Sequence, residues 1–315
     1  INPALYLGTG QTDRIISRTE EHGAGLIVFD TTLSPVHLRN WSRRAHCEVY
    51  DRHAVILEIF SRRARTKEAQ LQVELARARY TQSHLVGMWQ HLGRQGGGSR
   101  LARGEGEKQI EMDRRRLARR VHRATTDLER VSRQRELRRN SREHYARIAL
   151  VGYTNAGKSS LLNALTGADV RTANQLFASL DPTTRRMEHA GGSPLLISDT
   201  VGFVRRLPPD LVDAFHSTLE EVVEATALIL VLDAADPDVE RQYETTKEIL
   251  HDLGAGEIPR ILVLNKVDQL SPEARATVGL IDIAGQPDAV FEVSAETGEG
   301  IRELREFLLR YQLPD

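Results

Sequence analysis

The stretch Gly152-Tyr-Thr-Asn-Ala-Gly-Lys-Ser159 decides how the rest of the chain is interpreted. It matches the pattern G-x-x-x-x-G-K-[ST], it follows the apolar run Ile148-Ala-Leu-Val151, and it precedes the helical pattern at 160–165. A strand, a glycine-rich turn and a helix in this order form a P-loop, whose backbone N–H groups surround nucleotide phosphates. We predict that Lys158 bridges the β- and γ-phosphates and that the Ser159 hydroxyl binds Mg²⁺.

Three further segments follow in the order that a guanine-nucleotide-binding domain requires. Asp199-Thr-Val-Gly202 fits D-x-x-G, whose carboxylate reaches the Mg²⁺ shell and whose glycine N–H approaches the γ-phosphate. Asn265-Lys-Val-Asp268 fits N-K-x-D, and Ser294-Ala-Glu296 is expected to close the base pocket. The Asp268 carboxylate would accept hydrogen bonds from N1–H and the 2-amino group of guanine, and adenine lacks both donors. The sequence therefore predicts GTP rather than ATP.

Strand and helix patterns alternate throughout residues 146–315, which indicates a doubly wound α/β GTPase domain. Strands are expected near 147–152, 185–190, 194–199, 227–233, 259–265 and 289–294, and helices near 158–166, 211–224, 240–253, 272–282 and 299–311.

Residues 1–64 are predicted to form a small parallel α/β subdomain. Its strands are expected at 4–7, 25–30 and 47–50, with helices between them. Ser34 before Pro35 is typical of a helix start. No glycine-rich turn joins a strand to a helix in this part, so no second nucleotide site is predicted.

Residues 65–142 carry apolar heptads that predict two long helices in an antiparallel hairpin. Between them, residues 94–107 contain five glycines, which a helix tolerates poorly. We predict a flexible tip there, with Arg94, Arg100 and Arg103 at the tip and further arginines on the second helix.

The net charge of −1 conceals an opposition between the two halves of the chain. Residues 1–147 hold 29 Lys and Arg against 17 Asp and Glu, whereas residues 148–315 hold 14 against 27. The front half is the part expected to face a polyanion. Arginine supplies 38 of the 43 basic residues, which suits bidentate phosphate contacts, although a GC-rich genome would give the same bias without a function.

Other features exclude several classes of protein. The single Cys47 rules out an internal disulfide framework and fits a reducing compartment, so a cytoplasmic location is expected. The longest apolar stretch, 225–232, is far shorter than the roughly 20 residues that a membrane span needs. No signal-peptide pattern is found, and the missing initial Met suggests that the true N-terminus lies upstream.

These motifs, together with 176–185, 219–222, 33–35, 71–75 and the glycine-rich tip, resemble the HflX family of ribosome-associated GTPases. The resemblance covers nearly the whole chain. It implies a monomeric GTPase that docks on the 50S subunit of the 70S ribosome, with the hairpin reaching 23S rRNA, and that splits stalled ribosomes under stress. The alternative is an RNA-binding assembly or remodelling factor in which nucleotide is mainly a structural ligand.

The resemblance also implies a switch segment at 177–181. The family usually has Thr where this chain has Ser179, and a serine hydroxyl can make the same bond to Mg²⁺. Thr183 and Thr184 are the alternatives for this ligand. The tip reads Arg103-Gly-Glu-Gly-Glu107 and lacks a proline that the family commonly has.

Unaided hydrolysis is expected to be slow, because Phe203 occupies the place of the water-orienting Gln of Ras-like proteins. Asn155 is one candidate source of transition-state charge, since in related GTPases an Asn at this place helps to bind K⁺. The alternative is that Asn155 bonds only to the loop backbone. Arg205 and Arg206 are the other cations considered, although a solvated pair is the simpler interpretation.

The complete set of predicted site residues follows from these motifs. The catalytic residues are Lys158, Asn155 and Gly202, and the Mg²⁺ ligands are Ser159, Ser179 and Asp199. The rRNA-binding residues are Arg94, Arg100, Arg103, Arg114, Arg115, Arg116, Arg119 and Arg120. The GTP-binding residues are Gly152, Tyr153, Thr154, Asn155, Ala156, Gly157, Lys158, Ser159, Ser160, Phe177, Ala178, Ser179, Leu180, Asp181, Asp199, Thr200, Val201, Gly202, Asn265, Lys266, Asp268, Ser294, Ala295 and Glu296.

Overall fold

The chain has an α/β fold, with a helical region in front of a P-loop domain, as predicted. The computed structural model describes residues 2–89, 100–140, 145–167, 183–188, 194–203, 216–278 and 287–310. By its contacts the chain divides into two units, one formed by 1–62 and 70–131 and the other by 63–69 and 132–315. No helix among these described stretches is both long and apolar enough to cross a bilayer.

The first unit begins with a small α/β arrangement. Strands β1 (Leu26–Phe29) and β2 (Glu48–Asp51) pair in parallel. Helices α1 (Thr9–Glu21), α2 (Pro35–Ala45) and α3 (Arg52–Arg63) accompany them. The Ser34 hydroxyl accepts a hydrogen bond from the N–H of His37, as its predicted role as a helix cap requires.

The predicted strand at 4–7 is wrong. The Asn2 side chain accepts hydrogen bonds from the N–H groups of Ala4 and Leu5 and so folds this segment into a turn. Tyr6 has a φ of 65°, which an extended strand does not allow. The apolar side chain of Leu5 is nevertheless buried with Trp41, whose indole N–H donates to the Leu5 carbonyl at 2.7 Å.

Two long helices follow, α4 (Lys67–Trp89) and α5 (Arg100–Asn140), and most of each belongs to the first unit. Of their apolar heptad positions, Leu71, Leu75, Ala78 and Ala124 are buried, whereas Leu117, Val121, Leu128 and Val131 are half-buried. The prediction that the glycine-rich tip extends to residue 107 is wrong, because 100–107 are helical. Isolated glycines cost a helix about 1 kcal/mol each, and a helix of this length tolerates them.

The second unit contains a six-stranded sheet with the strand order β4-β5-β3-β6-β7-β8. Only β4, at the edge, is antiparallel. The strands are β3 (Arg147–Val151), β4 (Thr183–Met187), β5 (Leu195–Asp199), β6 (Ala227–Asp233), β7 (Arg260–Asn265) and β8 (Ala289–Glu292). The described helices are α6 (Lys158–Thr166), α7 (His216–Val223), α8 (Val239–Asp252), α9 (Pro272–Val278) and α10 (Ile301–Arg310).

Apolar clusters cover both faces of this sheet. Along β3, Ile148 and Leu150 belong to one cluster, and Ala149 and Val151 belong to the other. This alternation is what a strand buried on both faces requires. The five parallel strands end at the same edge of the sheet, and there the loops carrying the predicted motifs come together.

Candidate nucleotide-binding site

The P-loop adopts a backbone that only glycine tolerates at key positions. Gly152 has a φ of 144°, and a Cβ atom there would lie 2.2 Å from the Val231 carbonyl oxygen. Gly157 has a φ of 94° and caps the N-terminus of α6. The loop therefore brings its N–H groups to a helix N-terminus, which favours an anionic ligand.

Lys158 is held inside this loop. Its Nζ donates to the carbonyl oxygens of Gly152 at 3.0 Å and Tyr153 at 2.8 Å. Burial lowers the pKa of Lys158 to about 8, and the nearby Asp199 carboxylate partly opposes that effect. A phosphate bound at the loop would stabilise the charged ammonium form of Lys158, so the side chain is placed to pair with an anion.

Asp199 and Ser159 form a set of oxygen donors beside the loop. The Ser159 hydroxyl donates to Oδ2 of Asp199 at 2.5 Å, and Asp199 is fully buried. The next residue, Thr200, fixes the strand end by donating to the Leu150 carbonyl at 2.6 Å. A hydroxyl and a carboxylate are hard oxygen ligands of the kind that Mg²⁺ prefers, so these residues fit the predicted metal.

The D-x-x-G segment is joined to the P-loop through its backbone. The Phe203 N–H donates to the Gly152 carbonyl at 3.0 Å, and the Thr154 N–H donates to the Phe203 carbonyl at 2.7 Å. A Cβ atom on Gly202 would lie 2.7 Å from Cα of Thr154 and 3.1 Å from Nζ of Lys158. Gly202 therefore passes next to the place predicted for the γ-phosphate.

Asn265 connects the base-recognition loops. Its Nδ2 donates to the Ala156 carbonyl at 2.8 Å, and its Oδ1 accepts from the Ala295 N–H at 3.0 Å. Asp268 lies on a 3₁₀ turn and is exposed, so its carboxylate is accessible to a base. The buried side-chain amide of Asn265 therefore links both motifs predicted to bind guanine to the P-loop.

Lys266 has a partner that sequence reasoning missed. Its Nζ bonds to Oδ2 of Asp233 at 2.6 Å, and Oδ1 of Asp233 accepts from the Ala235 N–H at 3.1 Å. Asp233 ends β6 directly beside Asn265, so the pairing of β6 with β7 sets this contact. The only sequence signal for this contact is an aspartate at the end of the strand that precedes the N-K-x-D strand along the chain.

The switch segment predicted at 177–181 lies outside the described residues, as do Arg205 and Arg206. Thr183 and Thr184 are the alternatives to Ser179 as the Mg²⁺ ligand. Thr183 pairs with Asp199 in the β4–β5 register, which puts both side chains on one face of the sheet. The Thr184 hydroxyl is instead 2.9 Å from the Ser198 hydroxyl. Asn155 is exposed, and among the described residues its side chain makes no hydrogen bond.

The remaining predicted nucleotide contacts also fall on these loops. Ser294 is buried, and its hydroxyl accepts from the Thr297 N–H at 3.1 Å, while Glu296 is exposed. Ser160 is half-buried on α6, and Val201 is buried.

The arginines predicted to contact rRNA are only partly described. Arg94 lies outside the described residues, and only the backbone is described for Arg100 and Arg103. The other five are exposed on α5, and these are Arg114, Arg115, Arg116, Arg119 and Arg120.

Substitutions at the two glycines that flank α6 test whether the hydrogen bonds of Asn265 support nucleotide binding. A Cβ atom on Gly157 would lie 2.2 Å from Nδ2 of Asn265, whereas one on Gly167 would contact nothing within 4 Å. We expect Gly157→Ala to weaken GDP binding about 30-fold by displacing the amide, which makes two hydrogen bonds worth about 1 kcal/mol each. Gly167→Ala, also at positive φ, is expected to lower stability but not GDP affinity. Equal GDP affinities in calorimetry would contradict this account.

The strand order, the P-loop and the three loops at one sheet edge define a P-loop GTPase. Models of three families match the chain in succession, described as GTP-binding GTPase N-terminal (1–61), GTP-binding GTPase Middle Region (63–142) and 50S ribosome-binding GTPase (147–266). The chain belongs to the HflX family of GTPases and is a GTP-hydrolysing enzyme.

Its similarity to curated relatives supports this assignment over most of the chain. It is 46% identical to the GTPase HflX of Spirochaeta thermophila, covering 97% of this chain and 74% of the relative. It is 49% identical to that of Akkermansia muciniphila (94% and 70%) and 46% identical to that of Escherichia coli (96% and 71%). A solved structure of a Sulfolobus solfataricus GTP-binding protein in complex with GDP is 25% identical, with a TM-score of 0.52, covering 98% of this chain and 86% of that one.

Proposed function

We propose that this GTPase binds the 50S ribosomal subunit through its basic front half and that the bound nucleotide controls the binding. The observation that carries the proposal is the difference in charge between the two halves of the chain. Residues 1–147 have an excess of 12 basic residues, and the nucleotide site lies in the acidic half that follows. One of the matching family models describes a 50S ribosome-binding GTPase. The outcome we favour is the splitting of stalled 70S ribosomes in the cytoplasm by a monomer.

The proposed arrangement has three parts, namely residues 1–64, the hairpin at 65–142 and the GTPase domain at 146–315. In the last part, the P-loop would bind the phosphates and Asp268 the guanine base. Ser159 and Asp199 would hold Mg²⁺, with Ser179 or Thr183 as the switch ligand. Bound Mg²⁺ would neutralise charge on the β- and γ-phosphates as the bond to the γ-phosphate breaks.

The residue after D-x-x-G does not supply a water-orienting side chain for hydrolysis. The Phe203 side chain is buried in the core with Val151 and Val222, so it cannot orient a water molecule. We propose that the ribosome orders the switch segments and excludes water. The exposed Asn155 is available to help bind K⁺, which would supply positive charge at the transition state.

The burial of Phe203 gives a direct test of this account. Phe203→Gln restores the side chain found in Ras-like proteins, but here the amide would enter an apolar cluster. We expect the free energy of unfolding to fall by about 3 kcal/mol without faster unaided hydrolysis. Thermal unfolding and single-turnover hydrolysis would measure both effects. Faster hydrolysis in a stable variant would show that Phe203 faces the nucleotide.

The ribosome-binding proposal is tested by adding purified 50S subunits to the protein and GTP. We expect a large increase in the rate of GTP hydrolysis, and 30S subunits at the same concentration serve as the control. The alternative, an RNA-binding assembly factor with nucleotide as a structural ligand, predicts little change. Sucrose-gradient profiles of 70S ribosomes with protein and GTP would then decide between splitting and other outcomes.

A further inference from the structure

A cluster of three charged side chains joins the two loops that are predicted to hold the guanine base. Nε of Arg275 on α9 bonds to Oε2 of Glu292, the last residue of β8, at 2.8 Å. Nη1 of the same guanidinium bonds to Oε1 of Glu299 at 2.8 Å. Glu292 and Glu299 lie on either side of the Ser294-Ala-Glu296 segment along the chain. We call these three side chains the Arg275 cluster.

The segment between the two glutamates is a closed turn. The Ser294 N–H donates to the Glu299 carbonyl at 2.9 Å, and the Gly298 N–H donates to the Ser294 carbonyl at 2.9 Å. Gly300 follows with a φ of 70°, and a Cβ atom there would lie 2.2 Å from the Glu292 carbonyl oxygen. The two ends of the turn are therefore close together, and the carboxylates at both ends bind one guanidinium.

On the other side of the predicted base pocket, α9 lies close in the chain to the turn that carries Asp268. Two residues separate that 3₁₀ turn from the start of α9. The Ser271 hydroxyl accepts a hydrogen bond from the Ala274 N–H at 3.2 Å and so caps the helix. Arg275 lies in the first turn of α9, and its N–H donates to the Ser271 carbonyl at 2.9 Å. A restraint on the Arg275 side chain therefore restrains Asp268 through a short, hydrogen-bonded segment.

The arrangement of charges in the cluster makes Arg275 more important than an ordinary surface cation. A single exposed ion pair contributes little to stability. Removal of Arg275, however, would leave the carboxylates of Glu292 and Glu299 close together at the two ends of one turn. Like charges at this separation repel each other, and the repulsion would favour an open turn.

We propose that Arg275 is a positioning residue for guanine recognition, which holds the Ser294-Ala-Glu296 turn and Asp268 at the separation that the base requires. The amide of Asn265 links the same two loops through the Ala295 N–H, and Arg275 adds a second link. Loops that are ordered in advance bind a ligand more tightly, because less conformational freedom is lost on binding. This inference rests on the base pocket given in the proposed function, but it does not depend on ribosome binding.

The test compares the GDP affinities of full-chain variants by calorimetry. Arg275→Gln removes the cation of the cluster. Arg302→Gln is the matched control, because Arg302 pairs with Glu306 within α10, at 3.5 Å. We expect Arg275→Gln to bind GDP about fivefold more weakly at low salt and the control to match the wild type. Because dissolved ions screen like charges, the deficit of Arg275→Gln should shrink as salt is raised to about 1 M.

A second substitution separates this role from a general loss of structure. Glu299→Gln in the Arg275→Gln variant removes one of the two repelling charges, so we expect GDP affinity to return to within about twofold of the wild type. Wild-type affinity in Arg275→Gln alone would overturn the inference, and so would a double variant that binds no better than the single one. Asp268→Asn then locates the error. Lost GDP affinity in Asp268→Asn would confine the failure to Arg275, whereas unchanged affinity would show that the proposed base pocket is wrong.

Discussion

Asp268→Asn is expected to lower the affinity for GDP by about 10³-fold and to create affinity for xanthosine diphosphate. The carboxylate would accept from N1–H and the 2-amino group of guanine, and each such bond to a charged group is worth about 1.5–3 kcal/mol. Xanthine carries an oxygen in place of the 2-amino group, so the amide of the variant can donate to it. Calorimetry with GDP, xanthosine diphosphate and ADP would measure the exchange.

The matched control for this change is Asp252→Asn at the end of α8. Asp252 is exposed and lies outside the N-K-x-D turn, so the same loss of charge should leave all three affinities as in the wild type. The geometry behind the prediction is the exposed position of Asp268 beside Asn265, which is fixed by the P-loop and by Ala295. A variant that still prefers GDP to xanthosine diphosphate would refute the assignment of Asp268.

Lys158→Ala is expected to reduce kcat for GTP hydrolysis by about 10²–10³-fold and to weaken GTP binding. Nζ of Lys158 is held by the carbonyl groups of Gly152 and Tyr153, so the cation is positioned before phosphate arrives. Preorganised charge of this kind is worth several kcal/mol at a transition state. Single-turnover hydrolysis at saturating GTP would separate the loss of rate from the loss of binding.

Lys247→Ala provides the corresponding control in the same domain. Lys247 pairs with Glu244 on α8, at 3.2 Å, and contributes nothing to the nucleotide loops. The control variant should retain the rate and affinity of the wild type. If Lys158→Ala hydrolysed GTP as fast as Lys247→Ala, the P-loop lysine would have no part in the reaction.

The sequence was sufficient to predict most of the GTPase domain, because its motifs are short and local. The P-loop needs only a strand, two glycines and a helix start, and all of these are adjacent in the chain. The partners of those residues were not predictable in the same way. Asp233 contacts Lys266 only because β6 and β7 are neighbours, and the antiparallel direction of β4 depends on its pairing with β5.

Two predictions in the front half failed for identifiable physical reasons. The apolar pattern of residues 4–7 suggested a strand, but the side chain of Asn2 offered the backbone a competing turn. Gly104 and Gly106 suggested a loop, but they are single residues within a long helical stretch. In both places a local interaction or a neighbouring context outweighed the propensity on which the prediction was based.

The hydrogen-bond partners of the polar residue Asp51 could not be predicted from the sequence either. It is fully buried and accepts hydrogen bonds from the Leu33 and Ala54 N–H groups and from the Tyr80 hydroxyl. Burial and the Asp51 carboxylate raise the pKa of Tyr80 well above its ordinary value. Nothing in the sequence pairs residue 51 with residue 80, so this contact between β2 and α4 is known only from the fold.

Co-sedimentation of the full chain with 50S subunits in two nucleotide states tests most directly whether guanine nucleotide controls ribosome binding. With Mg²⁺ and a non-hydrolysable GTP analogue, we predict saturable binding that weakens steeply as salt is raised. With Mg²⁺ and GDP, we predict much weaker binding at every salt concentration. Identical binding in the two states, or none in either, would contradict the claim that guanine nucleotide controls how tightly the front half binds the ribosome.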